Sequence, residues 1–191
     1  MKTILIFLFL LCLIGIYLRF YNLNSISKKK SNDQVAFTLL NETLLVNGRT
    51  FLGENLYTLN NKKKNINDIF GNQNILVFIH SNISCNVCVD SLVTKLNSIA
   101  VNNNFKDKLI GIVNSNDINY VRRFARINKL RFQIYWDKNS TITGLNKINL
   151  LPVVLMINKN KVVVSSYFIN PLLRKFDSLF WGKAIKFIGD I

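Results

Sequence analysis

Residues 74–88 read NILVFIHSNISCNVC and contain the most informative pattern of the chain. It begins with a continuous apolar run, residues 75–79, of the kind found in a strand that is covered on both faces of a sheet. A short polar loop follows, and the apolar residues from Cys85 to Ala100 then recur on one face of a helix. The stretch therefore predicts a buried strand, a loop and a helix whose first turn carries Cys85 and Cys88.

The chain downstream continues to alternate between strands and helices. Apolar runs at 109–113 and 132–136 predict two further strands, separated by a helix over 118–129, and a short helix is predicted at 141–145. The arginines of the first of these helices are predicted to face outward: Arg122, Arg123 and Arg126. Such crossover connections predict a sheet with a parallel core.

The two ends of the domain show different patterns. Residues 153–157 and 161–167 flank a turn at 158–160 and predict a β-hairpin, and the apolar spacing over 171–188 predicts a closing helix. Near the other end, short apolar pieces are separated by turn-like residues. They predict small strands at 36–40, 44–46 and 56–59, the last with a hairpin around 60–64.

Residues 4–18, ILIFLFLLCLIGIYL, lack any charge and lie between Lys2 and Arg19. Fifteen helical residues rise about 22 Å, which approaches the apolar thickness of a bilayer when flanking aromatic residues reach the interface. No small-residue cleavage site follows at a convincing distance, which favours a retained anchor over a cleaved signal peptide. We predict a membrane anchor over 1–21, a polar tether over 22–34 and one domain over 35–191.

The chain has 191 residues, with 25 Lys and Arg against 10 Asp and Glu, for a net charge of +15. This length excludes a multidomain enzyme, and the recurrent apolar residues exclude a fully disordered chain. The lysines form no single helical stripe with interleaved aromatic residues, so we predict no nucleic-acid partner.

The two cysteines of the CxxC pair have different surroundings. Cys85 stands beside the unpaired N–H groups of a helix start, which favour a thiolate, so it is predicted to be the attacking thiol. Cys88 lies one turn further into the helix and is predicted to resolve the mixed disulfide. Two cysteines and one histidine are too few for a monomeric zinc site, and Val89 stands where covalent haem attachment needs His. A purely structural disulfide remains an alternative.

These motifs resemble those of the thioredoxin-like superfamily, an α/β fold with a central mixed sheet flanked by helices. The membrane-anchored thiol-disulfide oxidoreductases and redoxin-domain proteins of bacterial envelopes are most similar, over residues 56–188. The resemblance implies that Pro152 is a cis-proline beside the disulfide and that Leu151 positions an extended substrate. It also implies protein thiols or disulfides as partners, and no cofactor other than the redox-active disulfide.

The sequence departs from this family at several positions. Ser84 precedes the first cysteine, Asn86 and Val87 separate the pair, and Ile79 replaces the buried carboxylate that many thioredoxins use as a proton acceptor. A thioredoxin-like binding module without redox activity is therefore an alternative. A peroxiredoxin-like peroxidase is a second alternative, although Asn82 stands where that chemistry needs Thr or Ser, and no upstream Pro is present.

His80 is the only histidine of the chain, five residues before Cys85. It is a candidate for proton transfer near the thiols, and the competing expectation, which we favour, is a strand-end histidine that points to solvent. The charges flanking the anchor predict a cytoplasmic domain by the positive-inside rule, whereas the overall pattern is that of an exported protein. The CxxC pair favours export, so we predict an inner-membrane protein whose domain faces the periplasm or the cell exterior.

Overall fold

The computed structural model of the protein describes residues 34–169 and 177–189. The predicted anchor and all but the last residue of the predicted tether lie outside this range. None of the helices in the described ranges is both long and apolar enough to cross a membrane. The chain divides into two compact units, residues 1–40 and 41–191.

Residues 34–46 form a helix, α1, so the strands predicted at 36–40 and 44–46 are wrong. Asn41 and Glu42 look like a break between two strands, but they are polar residues within a helix. No glycine or proline interrupts the segment before Gly48, whose positive φ of 79° is accessible to glycine without steric cost. A helix can therefore run through both apolar pieces.

The remaining elements form one seven-stranded sheet with helices beside it. The strands are β1 (Asn55–Tyr57), β2 (Lys63–Asn65), β3 (Ile75–Ser81), β4 (Leu109–Asn114), β5 (Gln133–Asp137), β6 (Val153–Ile157) and β7 (Val163–Phe168). The helices are α2 (Ile66–Phe70), α3 (Asn86–Asn102), α4 (Ile118–Ile127), α5 (Thr141–Leu145) and α6 (Asp177–Gly189), and a 3₁₀ turn covers Lys106–Lys108.

The strand order is β2-β1-β5-β4-β3-β6-β7. The β3–β4 and β4–β5 pairs are parallel and the other pairs are antiparallel, so the predicted mixed sheet with a parallel core is confirmed. The predicted hairpins are present as β1–β2 and β6–β7. The described part of the predicted closing helix is α6, and residues 171–176 lie outside the described range.

The strand β3 lies at the centre of the core. All seven of its residues are buried, as the continuous apolar run predicts for a strand covered on both faces. On one face, Leu76 and Phe78 pack in a cluster with residues of α3, α4 and α6. The three arginines of α4 are exposed, as predicted. This packing fixes α3, and with it the cysteine pair, against the carboxyl end of β3.

Candidate active site

The loop between β3 and α3 is held by short hydrogen bonds. The Ser84 hydroxyl accepts from the Ser81 N–H at 3.0 Å, the Ser84 N–H donates to the Ser81 carbonyl at 3.0 Å, and the Asn82 N–H donates to the Asn114 carbonyl at 3.3 Å. Cys85 is the N-cap residue of α3, and its carbonyl accepts the first helical bond from Val89 at 3.0 Å. The cysteines therefore lie at the start of the helix, as predicted.

The two sulfurs lie side by side as free thiols. The Cys88 Sγ donates to the Cys85 Sγ across 2.8 Å. The helical pattern of the sequence places Cys85 on the buried face, but Cys85 is exposed. The reason is that the helix begins one residue later, at Asn86. Cys88 is only partly exposed. An incoming group therefore reaches the Cys85 sulfur first. The Cys88 sulfur is less exposed and lies close enough to the Cys85 sulfur to form a bond with it.

The surroundings separate the pKa values of the two thiols. The hydrogen bond from the Cys88 thiol lowers the pKa of Cys85, and the backbone N–H groups of Cys88 and Val87 also lower it. The Cys85 sulfur makes no cap hydrogen bond of good geometry, so these N–H groups act mainly through their dipoles. Burial raises the pKa of Cys88 to about 11, together with its hydrogen bond to Cys85 and the negative charge there. The arrangement favours a thiolate at Cys85 and a thiol at Cys88.

The Leu151–Pro152 peptide bond is cis. It immediately precedes β6, which pairs antiparallel with β3 through Ile79 and Val153. Continuing this register places Leu151 and Pro152 beside the carboxyl end of β3, where the cysteine loop begins. Pro152 is buried and Leu151 is half-buried. The structure thus brings both predicted substrate-positioning residues to the cysteine end of the sheet.

His80 is fully buried, so the expectation that it points to solvent is wrong. Its ring lies among aromatic side chains, with centroids 5.2 Å from Phe78 and 4.2 Å from Phe124. Its Nδ1 lies 3.1 Å from the Ser81 carbonyl, so Nδ1 carries the proton. Nε2 is buried and has no hydrogen-bond partner among the described residues. Burial lowers the pKa of His80 from 6.5 to about 4. The imidazole is therefore neutral at physiological pH.

Ile79 is fully buried at the position where the resemblance places a carboxylate. Its strand neighbours are Ile112 and Val153, both apolar. The centre of the sheet beneath the cysteine loop therefore offers no carboxylate at this position. If Cys88 loses its proton, another group has to accept it, or the pKa of Cys88 has to fall because Cys85 loses its negative charge.

Two exposed apolar side chains flank Cys85 that the sequence reasoning did not single out. Ile83 is 90% exposed and Val87 is 79% exposed. Val87 lies off the buried face of α3, which is formed by other residues: Val89, Leu92, Val93, Leu96, Ile99 and Ala100. That mismatch with the helical pattern is the signal that could have identified it. In the described part of the chain, no three His, Cys, Asp or Glu residues come together as metal ligands.

Comparisons with known proteins identify the fold of the chain but do not assign it to a family. No protein-family model matches the chain, and no curated protein matches it. Solved structures do match. A secreted Mycobacterium tuberculosis disulfide oxidoreductase homologous to Escherichia coli DsbE aligns with a TM-score of 0.54 at 13% identity, covering 69% of this chain and 93% of that one.

Two further structures show the same likeness. The thioredoxin domain of a thiol-disulfide oxidoreductase from Bacteroides vulgatus has a TM-score of 0.55 at 14% identity, covering 70% of this chain and 96% of that one. Peroxidoxin BcpB from Mycobacterium tuberculosis has a TM-score of 0.57 at 13% identity, covering 76% and 97%. At these identities the likeness concerns the fold. The protein therefore has the α/β thioredoxin-like fold, with a mixed sheet flanked by helices, that thiol-disulfide oxidoreductases also have.

Proposed function

We propose that this protein is a membrane-tethered thiol-disulfide oxidoreductase that exchanges disulfides with envelope proteins. The observation that carries the proposal is the asymmetric cysteine pair. An exposed thiol with a lowered pKa at the start of α3 lies 2.8 Å from a second thiol whose pKa is raised. Such a pair provides a nucleophile and a resolving group at one place.

In the first step, the Cys85 thiolate attacks one sulfur of a substrate disulfide. A bond forms between Cys85 Sγ and that sulfur, the substrate disulfide breaks, and the other substrate sulfur leaves as a thiolate. The negative charge on Cys85 is thereby lost. Two of the causes that raise the pKa of Cys88 depend on Cys85, its charge and its accepted hydrogen bond, so the pKa of Cys88 falls at this point.

In the second step, Cys88 gives up its proton to solvent or to the departing thiolate and attacks Cys85 Sγ. The mixed disulfide breaks, the second substrate sulfur leaves as a thiolate, and an intramolecular Cys85–Cys88 disulfide forms. The substrate gains two electrons and the protein loses two. The reverse sequence oxidises a substrate dithiol, and a partner dithiol returns the protein to its reduced form. No bound cofactor is required, because the cysteine pair holds the electrons.

The surface around Cys85 suits an extended protein segment. Ile83 and Val87, two residues before and two residues after Cys85, are exposed apolar side chains that could contact such a segment. By the family resemblance, backbone groups at Leu151, next to Pro152, would pair with the substrate main chain. His80 remains a proposed proton-transfer residue. Because burial keeps its imidazole neutral, His80 would enter any such transfer in the neutral form. Protein thiols and disulfides are therefore the proposed substrates, and nucleic acid is not.

We propose further that the domain is tethered to the inner membrane and faces the periplasm or cell exterior. The apolar run at 4–18 supports the tether. Thiol-disulfide exchange with envelope proteins requires an oxidising compartment, which supports the outward orientation. The fold neighbour from Mycobacterium tuberculosis is described as secreted, which is consistent with this location.

The test compares two single substitutions in the full chain. Cys88→Ser leaves the attacking thiol but removes the resolving one, so it should accumulate mixed disulfides with envelope proteins in cells. Cys85→Ser, the matched control, should trap none or far fewer. The unsubstituted protein should reduce insulin in the presence of a dithiol. If insulin is not reduced and Cys88→Ser traps nothing, the proposed function is wrong. If the double variant retains full function in cells, the non-redox binding module is the better explanation.

A peroxidase is the second candidate, because one solved structure of the same fold is a peroxidoxin. The Cys85 thiolate would then attack hydrogen peroxide and become a sulfenic acid, and the hydroxide that leaves would take a proton from solvent to form water. The Cys88 thiol would condense with the sulfenic acid to form a disulfide and release a second water. Asn82, at the position that this chemistry requires to be Thr or Ser, has an exposed side chain. Rapid peroxide consumption without insulin reduction would favour this candidate.

A further inference from the structure

Four leucines within the unit 41–191 are exposed on segments that meet: Leu44, Leu45, Leu52 and Leu145. The side chain of Asn146 accepts from the Leu52 N–H at 2.7 Å and donates to the Leu52 carbonyl at 2.6 Å. The Asn149 side chain donates to the Glu42 carboxylate oxygens at 3.1 and 3.3 Å. These contacts join the last turns of α1, the segment at Leu52 and the end of α5. We call the four side chains the leucine surface.

Basic residues lie on the same segments. Arg49 follows α1 by three residues, Lys147 follows α5 by two, and both are exposed. Two acidic residues lie beside the leucine surface. Glu42 is held by the amide of Asn149, and the exposed Glu54 lies with Lys63 and Lys138 in the depression that Leu145 lines. The leucine surface is therefore accompanied by cations, which suits a partner that combines an apolar layer with negative charge.

We propose that the leucine surface docks on the surface of an anionic lipid bilayer, so that the domain lies against the membrane that its tether enters. This inference rests on the proposed membrane tether. About 12 residues separate the anchor predicted over 1–21 from α1, and a chain of that length reaches at most about 40 Å. The tether itself carries Lys28, Lys29 and Lys30, which attract anionic headgroups. An exposed leucine and cation surface held this close to a bilayer is in position to insert.

The test places an environment-sensitive fluorescent amino acid at position 44, where Leu44 is 67% exposed. The matched control carries the same label at position 127, at the end of α4, where Ile127 is 68% exposed. Each full-length protein is reconstituted into phosphatidylcholine vesicles with or without phosphatidylglycerol, and doxyl-labelled lipids serve as quenchers. Docking predicts a blue shift and strong quenching at position 44 in the anionic vesicles, less in the neutral ones, and neither effect at position 127. Insulin reduction should be unchanged by either label.

Charge substitutions test the electrostatic contribution. Arg49→Ser and Lys147→Ser should each weaken docking about fivefold, as expected for a cation lost from an anionic lipid surface. The matched control is Arg126→Ser on α4, which should have no effect. Raising the salt concentration should reduce quenching at position 44 in the unsubstituted protein, because the contact is screened.

The outcomes separate docking from the proposed function. If the chain resists carbonate extraction and reduces insulin while position 44 stays unquenched, docking is overturned and the tethered oxidoreductase stands. If position 44 is quenched but the chain is extracted by carbonate, the leucine surface binds lipid on its own, but the tether fails and the proposal that rests on it is overturned. Quenching at position 44, combined with no insulin reduction and no mixed disulfides trapped by Cys88→Ser, supports docking and overturns the enzyme. If position 44 instead crosslinks to a second copy of the chain, the leucine surface is a dimer interface and lipid docking is overturned.

Discussion

Acidification should destabilise this domain through His80 in particular. The imidazole is fully buried among Phe78, Tyr120 and Phe124. Within the part of the chain that the structure describes, its Nε2 has no partner that could stabilise an added proton. Burial lowers its pKa from 6.5 to about 4 in the folded protein. As the pH falls, His80 binds a proton in the unfolded chain before it does so in the folded protein. The stability that comes from keeping the buried imidazole neutral is therefore complete above about pH 6.5. It is lost progressively down to about pH 4.

The size of the effect follows from the two pKa values. At pH 5 the unfolded imidazole is almost fully protonated and the folded one is almost fully neutral. The free energy of unfolding should therefore be about 2 kcal/mol lower than at pH 7.5 from this group alone. Below pH 4 the loss should level off at about 3 kcal/mol, because the pKa of His80 is about 2.5 lower in the folded protein and each pKa unit corresponds to ~1.4 kcal/mol. This is a large share of the 5–15 kcal/mol typical of a domain.

The assay is urea unfolding of residues 34–191 between pH 4.5 and 7.5, followed by the fluorescence of the buried Trp136 and Trp181. His80→Phe and His80→Gln are the comparisons, because carboxylate titrations are common to all three proteins and cancel. His80→Gln also retains an N–H donor for the Ser81 carbonyl. The stability of both variants relative to the original chain should rise by about 2 kcal/mol between pH 7.5 and pH 5. Parallel stability curves, or an imidazole NMR resonance that titrates near 6.5, would refute the reasoning.

Three other predictions concern the cysteines and the packing of the domain. The rate of Cys85 alkylation by iodoacetamide should rise with pH with a midpoint below that of an ordinary thiol. Cys88→Ala should raise this pH midpoint, because the thiol that donates a hydrogen bond to Cys85 is lost. An unchanged midpoint in Cys88→Ala would contradict the effect of this hydrogen bond. Asp137→Ala should lower the free energy of unfolding by about 2 kcal/mol in urea titrations, because its carboxylate accepts from two N–H groups and a hydroxyl at the start of α5. Leu96→Ala, in the core between α3 and the sheet, should cost about 2–5 kcal/mol by the same measurement, whereas the exposed Leu179→Ala should cost far less.

The part of the fold that local patterns control could be predicted. The run at 75–79, the loop and the helix after Cys85 have distinct periodicities, and the structure contains β3 and α3 there. The short helix Thr141–Leu145 and the strand Val153–Ile157 agree with prediction at both ends. In these segments, turn residues bound the apolar runs, so that the local sequence is sufficient.

Features that depend on distant residues could not be predicted. His80 looks like a strand-end residue, and its burial results from Tyr120 and Phe124 on a helix some 40 residues later in the chain. The pairing of Tyr57 with Trp136, which adds the first hairpin to the sheet beside β5, is equally nonlocal. The helix α1 was missed for a different reason. Its two apolar pieces are each short enough to be strands, and only their continuation through Asn41 and Glu42 distinguishes a helix.

The absence of a carboxylate at Ile79 changes how this pair has to work. Where a buried acid is present, it can accept the proton of the resolving thiol throughout the cycle. In this protein, burial raises the pKa of Cys88 at all times, but the charge of Cys85 and the bond to its sulfur act only while Cys85 is a thiolate. In the proposed reaction, formation of the mixed disulfide would remove both. Cys88 would therefore stay protonated until a substrate is attached to Cys85, and the attack that attaches the substrate would also make Cys88 easier to deprotonate for the release step.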